Sequence, residues 1–161
     1  MEVDVYQIGI SFSDDTLKVA TRWDSNRDGK SLVQSIFESY NLRSPTPKIA
    51  LSATLRFCRG VSKAQFLNAF TDAFKGYDQA AVENFQKAFS ELIVGEIKEK
   101  DEFVLYWIDN GQVVVSMNGH IGSVLTDEEL NKRLLEVYID PKRTVSLELL
   151  HSLENNIHQA N

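Results

Sequence analysis

Few residue sets in this chain have the types and spacing that chemistry needs. Asp24, Asn26 and Asp28 alternate ahead of Gly29, as the first ligands of a calcium loop do. The twelfth loop position, which needs a bidentate glutamate, is Ser35, so too few hard oxygens remain. Gly29-Lys30-Ser31 imitates the end of a phosphate loop, but the upstream glycine position is Asp24, whose charge would repel phosphate. His151 and His158 lie seven residues apart, near one face of a terminal helix, with Glu154 between them. That is an incomplete metal-ligand set. His120 follows a turn and reads as structural. Cys58 is the only cysteine, so no intrachain disulfide forms. It lacks a neighbouring histidine to activate it, and between Phe57 and Arg59 it reads as a small buried hydrophobe. No metal, cofactor or catalytic set is implied by motif alone.

Composition narrows the partners. The 161 residues carry a formal net charge of -6. The lysines at 98 and 100 are interleaved with Glu96, Glu99, Asp101 and Glu102. No basic stripe forms, which argues against a nucleic-acid partner. No apolar run reaches membrane-spanning length, and the sequence MEVDVYQIG lacks the basic and apolar regions of a secretory signal. The expectation is a soluble protein, cytoplasmic or organellar after removal of a targeting segment, folded as a single domain over residues 1–161.

The elements that would position any site follow from periodicity. Val3 to Phe12 predicts a strand with Tyr6, Ile8, Ile10 and Phe12 on one face. It begins almost at Met1, so a partner strand is missing or supplied from elsewhere, as in a strand-mediated homo-oligomer. Asp14 to Trp23 fits a short helix or a strand. Lys30 to Tyr40 predicts a helix, and Lys48 to Cys58 a strand with Ile49, Leu51, Ala53, Leu55 and Phe57 facing inward. Ser62 and Gln65 form a capping box for a helix whose buried face holds Phe66, Ala69, Phe70, Ala73 and Phe74. Asp78 caps a second helix with Val82, Phe85, Ala88, Phe89 and Leu92. Phe103 to Asp109 and Gln112 to Met117 predict a hairpin about a two-residue Asn110-Gly111 turn, and Asn118-Gly119 reverses the chain into Ile121 to Val124. Thr126 with Glu129 predicts a capping box for a helix ending before Pro141, and a last helix runs from about Thr144 through Leu149, Leu150, Leu153 and Ile157.

The run Leu55-Arg56-Phe57-Cys58-Arg59-Gly60-Val61-Ser62 leads into Phe66-Leu67-Asn68-Ala69-Phe70. Val113-Val114-Val115 and Ser116 through Val124 follow, and then the helix ending Leu135-Glu136-Val137-Tyr138-Ile139-Asp140-Pro141. This order and spacing, together with Val5-Tyr6-Gln7-Ile8-Gly9, resembles the chalcone-isomerase fold family over roughly residues 3 to 157. The resemblance implies an α+β fold, a large antiparallel sheet with helices layered on one face and a ligand cleft between the layers. The family holds true isomerases, which close a chalcone by intramolecular attack of a phenolate on an enone. It also holds members without that activity, some of which resemble fatty-acid carriers.

Carried over residue by residue, the resemblance favours the second group. Asn68 matches the asparagine lining the isomerase cleft. The catalytic tyrosine falls near Val61, which has no hydroxyl, and the late-helix polar residue near Val137. Tyr6 stands where isomerases have threonine and looks more like the fatty-acid-binding members, where it helps to hold the carboxylate. The family's arginine lies on a strand ahead of Tyr6 that this chain lacks. Alternation points Arg56 away from the Leu55 and Phe57 face. The resemblance therefore implies a non-catalytic protein that binds a fatty acid or similar apolar small molecule. Phe66, Phe70, Phe85 and Phe89 would supply apolar wall, and Tyr6 and Asn68 polar orientation, with Val61 and Val137 also at the site. Two alternatives stand beside it: a ligand-free interaction domain pairing through its first strand, and a chalcone-type isomerase.

Overall fold

A computed structural model describes residues 6–24, 27 and 29–139, except for the side chains of Phe70 and Ala73. Residues 3–5, the Asp24–Asp28 turn beyond Asp24 and Arg27, and the expected terminal helix with His151 and His158 lie outside the described residues. Among the described residues, five strands run as an antiparallel meander in the order β1 to β5: Tyr6–Phe12, Ile49–Phe57, Glu102–Ile108, Val113–Met117 and His120–Leu125. The helices described in full are α1 (Asp14–Arg22), α2 (Leu32–Glu38), α3 (Lys63–Ala73), α4 (Gln79–Leu92) and, after β5, α5 (Glu128–Ile139).

The strands bury alternate residues, so one face of the sheet carries the core. Leu51, Ala53, Leu55 and Phe57 of β2, Phe103, Leu105 and Trp107 of β3, and Val113, Val115 and Met117 of β4 are all buried on that face. The helices cover it. Gln7, Gly9, Ser11 and Arg56 point out of the opposite face and are exposed. This is the expected α+β architecture, an open-faced sandwich. Ile49 departs from the expected inward row and is half exposed, at 49%. A register irregularity between Ile49 and Leu51 turns it outward and puts Ala50 inside instead.

Local chemistry sets the boundaries. Asp14 to Trp23, undecided by pattern, is helical: the Ser13 hydroxyl accepts from the Thr16 N–H at 3.2 Å and caps α1. The expected Ser62–Gln65 capping box is present. On α5 the cap moves one residue on from Thr126. The Asp127 carboxylate accepts from the Leu130 N–H at 2.9 Å, since a carboxylate answers an open helix N-terminus better than a hydroxyl. Asn118 and Gly119 both have positive φ, 49° and 84°, and join β4 to β5 as a two-residue turn. The β3–β4 turn is wider than expected. Ile108 N–H donates to Gln112 O and Gly111 N–H to Ile108 O, and only Gly111 has positive φ. Four residues, Asp109 to Gln112, therefore make the reversal.

Helix α3 packs on α4, α4 on β5, α1 on α2, and α2 on α5. Gly122 is what lets α4 approach β5, because a Cβ there would lie 2.9 Å from Leu92 Cγ and Cδ1. Gly122→Ala is expected to cost about 1–2 kcal/mol by overpacking, read from the urea midpoint. The same alanine placed beside Leu92→Ala is expected to cost far less. Additivity of the two changes would show that the contact is not limiting.

Candidate functional site

Strand pairing and helix capping gather Tyr6, Val61 and Phe66 at one end of the sheet. The β1–β2 register sets Tyr6 opposite Phe57 on the covered face, and the Tyr6 ring meets Phe57 edge-on with centroids 5.9 Å apart. Beyond Phe57 the chain turns through Cys58–Gly60. Val61 then exchanges two backbone hydrogen bonds with Ile97, at 2.9 and 3.0 Å. That bridge pins the entry to α3, and the capping box fixes the helix direction. Phe66 consequently lands over the sheet, edge-on to Phe57 at 5.7 Å and stacked on Phe103 at 4.9 Å. The result is a continuous ring series from partly exposed Tyr6 into the core.

From the other side, α5 brings Val137, half-buried against the core, and Tyr138, buried and edge-on to Trp107 at 6.4 Å. Tyr6, Val61 and Phe66 thus share one end of the sheet, whereas Tyr138 meets Trp107, which pairs with Leu51 toward the other end. Asn68 does not join the Tyr6 group. It is exposed, about half a helical turn round α3 from buried Phe66. Phe70 is on α3, and its side chain is outside the described set. Ala69, expected on the buried face, is exposed, because the covered arc of α3 turns toward α4 through Leu67 and Thr71. Phe85 and Phe89, expected as cleft wall, stand behind Phe66. They are 1% exposed, packed on each other at 4.8 Å, and Phe89 meets Phe66 at 5.6 Å. Both belong to the core.

Tyr6 and Tyr138 are both un-ionised phenols. Burial raises the Tyr6 hydroxyl above its ordinary pKa. Burial raises that of Tyr138 well above it, and the Tyr6 charge adds to the rise. Arg56 is exposed on the opposite face, paired in register with Glu102, and Arg59 is exposed. Arg133, one turn before Val137, lies 3.2 Å from Glu136, and its guanidinium sits over the Tyr77 ring at 5.7 Å. Sequence reasoning passed over Tyr138 because it falls on the buried stripe of α5 with Leu134. The available signal was chemical: a tyrosine on a fully buried stripe brings a hydroxyl that must find a partner.

Raised phenols have a sign consequence. Tyr6, Tyr138 and Tyr40 all titrate higher in the folded chain than in the unfolded one, Tyr40 through burial first and then Asp109 and Glu128. Their contribution to stability is intact below the unfolded phenol value near 10 and is lost as pH rises toward the folded values. Stability is therefore expected to fall above about pH 10. The ultraviolet ionisation signal of these three phenols should rise together with loss of far-ultraviolet helix signal. Ionisation of all of them ahead of unfolding would contradict the burial assigned here.

A concavity of about 450 Å³ lies between α4 and the end of β5, lined by Asn84, Lys87, Glu91, Ser123 and Asp127 among others. It mixes both charge signs and holds none of the sequence-implied residues. Among the described residues, no group of three or more His, Cys, Asp or Glu could hold a metal, and no helix is long and apolar enough to cross a membrane.

Comparison with known proteins bears on the fold just described. The profile of a family described as chalcone isomerase-like matches residues 38–146, more than half of the chain. A crystal structure of a fatty-acid binding protein from Arabidopsis thaliana is similar, with a TM-score of 0.69 at 19% sequence identity, covering 98% of this chain and 81% of that one. No curated protein sequence matches. At that identity the structural likeness speaks for the fold, and the profile match speaks for ancestry: the chain belongs to the chalcone isomerase-like family.

Proposed function

We propose that the protein binds a fatty acid or a similar apolar small molecule without transforming it, at the end of the sheet marked by Tyr6, Val61 and Phe66. The observation that carries this reading is the ring series that starts at a partly exposed phenol and runs inward through Phe57 and Phe66. Such an arrangement offers apolar contact along a chain and a hydrogen bond at one end, which is what an amphiphile needs. Phe70 shares α3 with Phe66 and would extend the wall, and Asn68 would stand at its outer rim. The similar Arabidopsis protein is named for fatty-acid binding, which supports the same ligand class. Catalysis of the chalcone type is disfavoured because Val61 offers no hydroxyl where the family's isomerases carry their tyrosine. The protein works in an aqueous compartment, cytoplasmic or organellar, in keeping with its net charge of -6.

Native mass spectrometry of gently extracted protein tests this. A co-purified lipid of defined mass, displaced by an added fatty acid, is the expected result. Protein that is empty as isolated and binds no added lipid would remove the proposal. A second reading rests on β1 being an edge strand of the sheet among the described residues: its outer edge pairs with a second copy of the chain. Sedimentation that stays monomeric across the working concentration range would exclude that pairing.

A further inference from the structure

The two edges of the sheet differ. β1 lies at one and β5 at the other, and among the described residues no strand pairs with the outer edge of β5. An unpaired edge presents backbone N–H and C=O groups that a further strand can use. β5 is not flat. Val124 and Ile121 stand opposite Val114 and Ser116 of β4, so β5 carries one extra residue between these pairs, a bulge. The bulge twists the edge, which disfavours pairing with another long strand such as β1 of a second copy. It also sets Ile121 and Val124, three residues apart, on the same open face of the sheet beside Val114. There they are 75% and 47% exposed.

On the covered side, this edge borders the concavity between α4 and β5. Ser123 and Val124 supply one side, and Asn84, Lys87 and Glu91, one stripe of α4, supply the other. Asp78 and Asp127, the caps of α4 and α5, line it as well. Three carboxylates therefore share the groove with one ammonium, Lys87, which lies 4.0 Å from Glu91. Glu91 also accepts from the Ser123 hydroxyl at 3.3 Å, which ties α4 to the strand edge. Asp78 and Asp127 each give one oxygen to a helix N–H, at 3.3 and 2.9 Å, and a carboxylate has acceptor sites beyond that one. The groove is net acidic.

We propose that the β5 edge and this groove form a docking surface for a short extended segment of another protein, one that alternates basic and apolar side chains. Strand alternation carries the specificity. Added beside β5, such a segment points every second side chain into the acidic groove next to α4. The others fall on the open face beside Ile121 and Val124. Backbone pairing supplies affinity that is indifferent to sequence, and the carboxylates select the sign of charge. The surface lies at the opposite edge of the sheet from β1 and Tyr6, so it stands independently of the binding function proposed above.

The test uses the full chain and blocked synthetic octapeptides, read by fluorescence anisotropy and by backbone amide NMR shifts. The probes are alternating Lys–Val, alternating Glu–Val, the Lys–Val composition arranged in two blocks, and alternating Lys–Val with every backbone nitrogen methylated. The first is expected to bind about tenfold more tightly than each of the others, with the largest shifts at residues 120–125 and 84–91. Glu91→Lys, an exposed substitution that leaves the core untouched, should weaken the Lys–Val peptide about fivefold and favour the Glu–Val one. Val124→Ser should weaken it a few fold and leave the salt dependence unchanged. Equal binding of the block or methylated peptide would overturn strand addition and leave only charge attraction. No binding of the alternating Lys–Val peptide, or binding without shifts in β5, would overturn the docking surface itself.

Discussion

Asn131→Leu is expected to lower stability by about 3 kcal/mol, because it leaves two buried carbonyls without donors. The Asn131 side chain is fully buried, and its amide nitrogen donates to Gly111 O and to Leu125 O, both at 2.9 Å. Its backbone carbonyl accepts the Trp107 indole. One residue thus ties the β3–β4 turn, the end of β5 and the last turn-side residues of β3 to α5. The two carbonyls also fix the amide's orientation, since only the nitrogen can satisfy both. Asn131→Asp is expected to be worse at neutral pH. A carboxylate there would face two carbonyl oxygens out of water, so the folded form would hold its proton to higher pH than the unfolded chain does. The folded state then binds more protons, and stability must fall as pH rises through the carboxylate range and beyond. Urea midpoints at pH 4 and pH 7 check this, with the aspartate variant recovering part of its loss at the lower pH. A leucine variant within about 0.5 kcal/mol of wild type would falsify the role given to Asn131.

The sheet was legible in the sequence because alternation and turn chemistry agree. Phe103, Leu105 and Trp107 are buried in step, and Asn118-Gly119 closes a two-residue turn as those residue types require. What escaped were shifts of one residue that periodicity cannot resolve. The irregularity after Ile49 swaps it for Ala50 inside, although both are apolar and the pattern reads equally well either way. Thr126 and Asp127 are both good caps, and only the geometry of the β5 exit selects the aspartate. Phe85 and Phe89 fall on the same helical stripe whether they line a cavity or fill a core. Their ring contacts decide for the core, and a one-dimensional pattern has no record of distance.

The grouping of the residues proposed for the site was legible only in part, for a related reason. Tyr6, Val61 and Val137 were reached through the family resemblance and Phe66 through its helical stripe, and strand register with helix capping brings Tyr6, Val61 and Phe66 to one end of the sheet. Asn68 also came through the resemblance, yet it points outward because two residues along a helix rotate a side chain by more than half a turn. Tyr138 went unmarked because what sets it apart is a buried hydroxyl with no hydrogen-bond partner among the described residues. Such an absence exists only once every neighbour has been placed.

Phe66 sits where the core meets the proposed site, so its removal is expected to act on both. The ring stacks on Phe103, meets Phe57 edge-on, and touches Phe89. Truncating it to alanine deletes these contacts and leaves a cavity that rings fixed on the sheet cannot collapse to fill. The expected loss is about 3–5 kcal/mol, and Phe66→Leu, which restores most of the volume, should lose appreciably less. Phe85→Ala is the informative control. That ring is as deeply buried and packs on Phe74 and Phe89, so it should destabilise by a similar amount. It lies on the far side of Phe89 from Tyr6, however, and should leave decane and methyl decanoate affinities unchanged in the folded fraction. Phe66→Ala opens space next to Phe57 and Tyr6, and should shift the preferred ligand toward longer or bulkier chains. Chain-length profiles measured at low temperature, where both variants remain folded, separate the two outcomes. Identical profiles for Phe66→Ala and Phe85→Ala would mean that Phe66 is core alone, and the ligand site would have to lie elsewhere on the sheet.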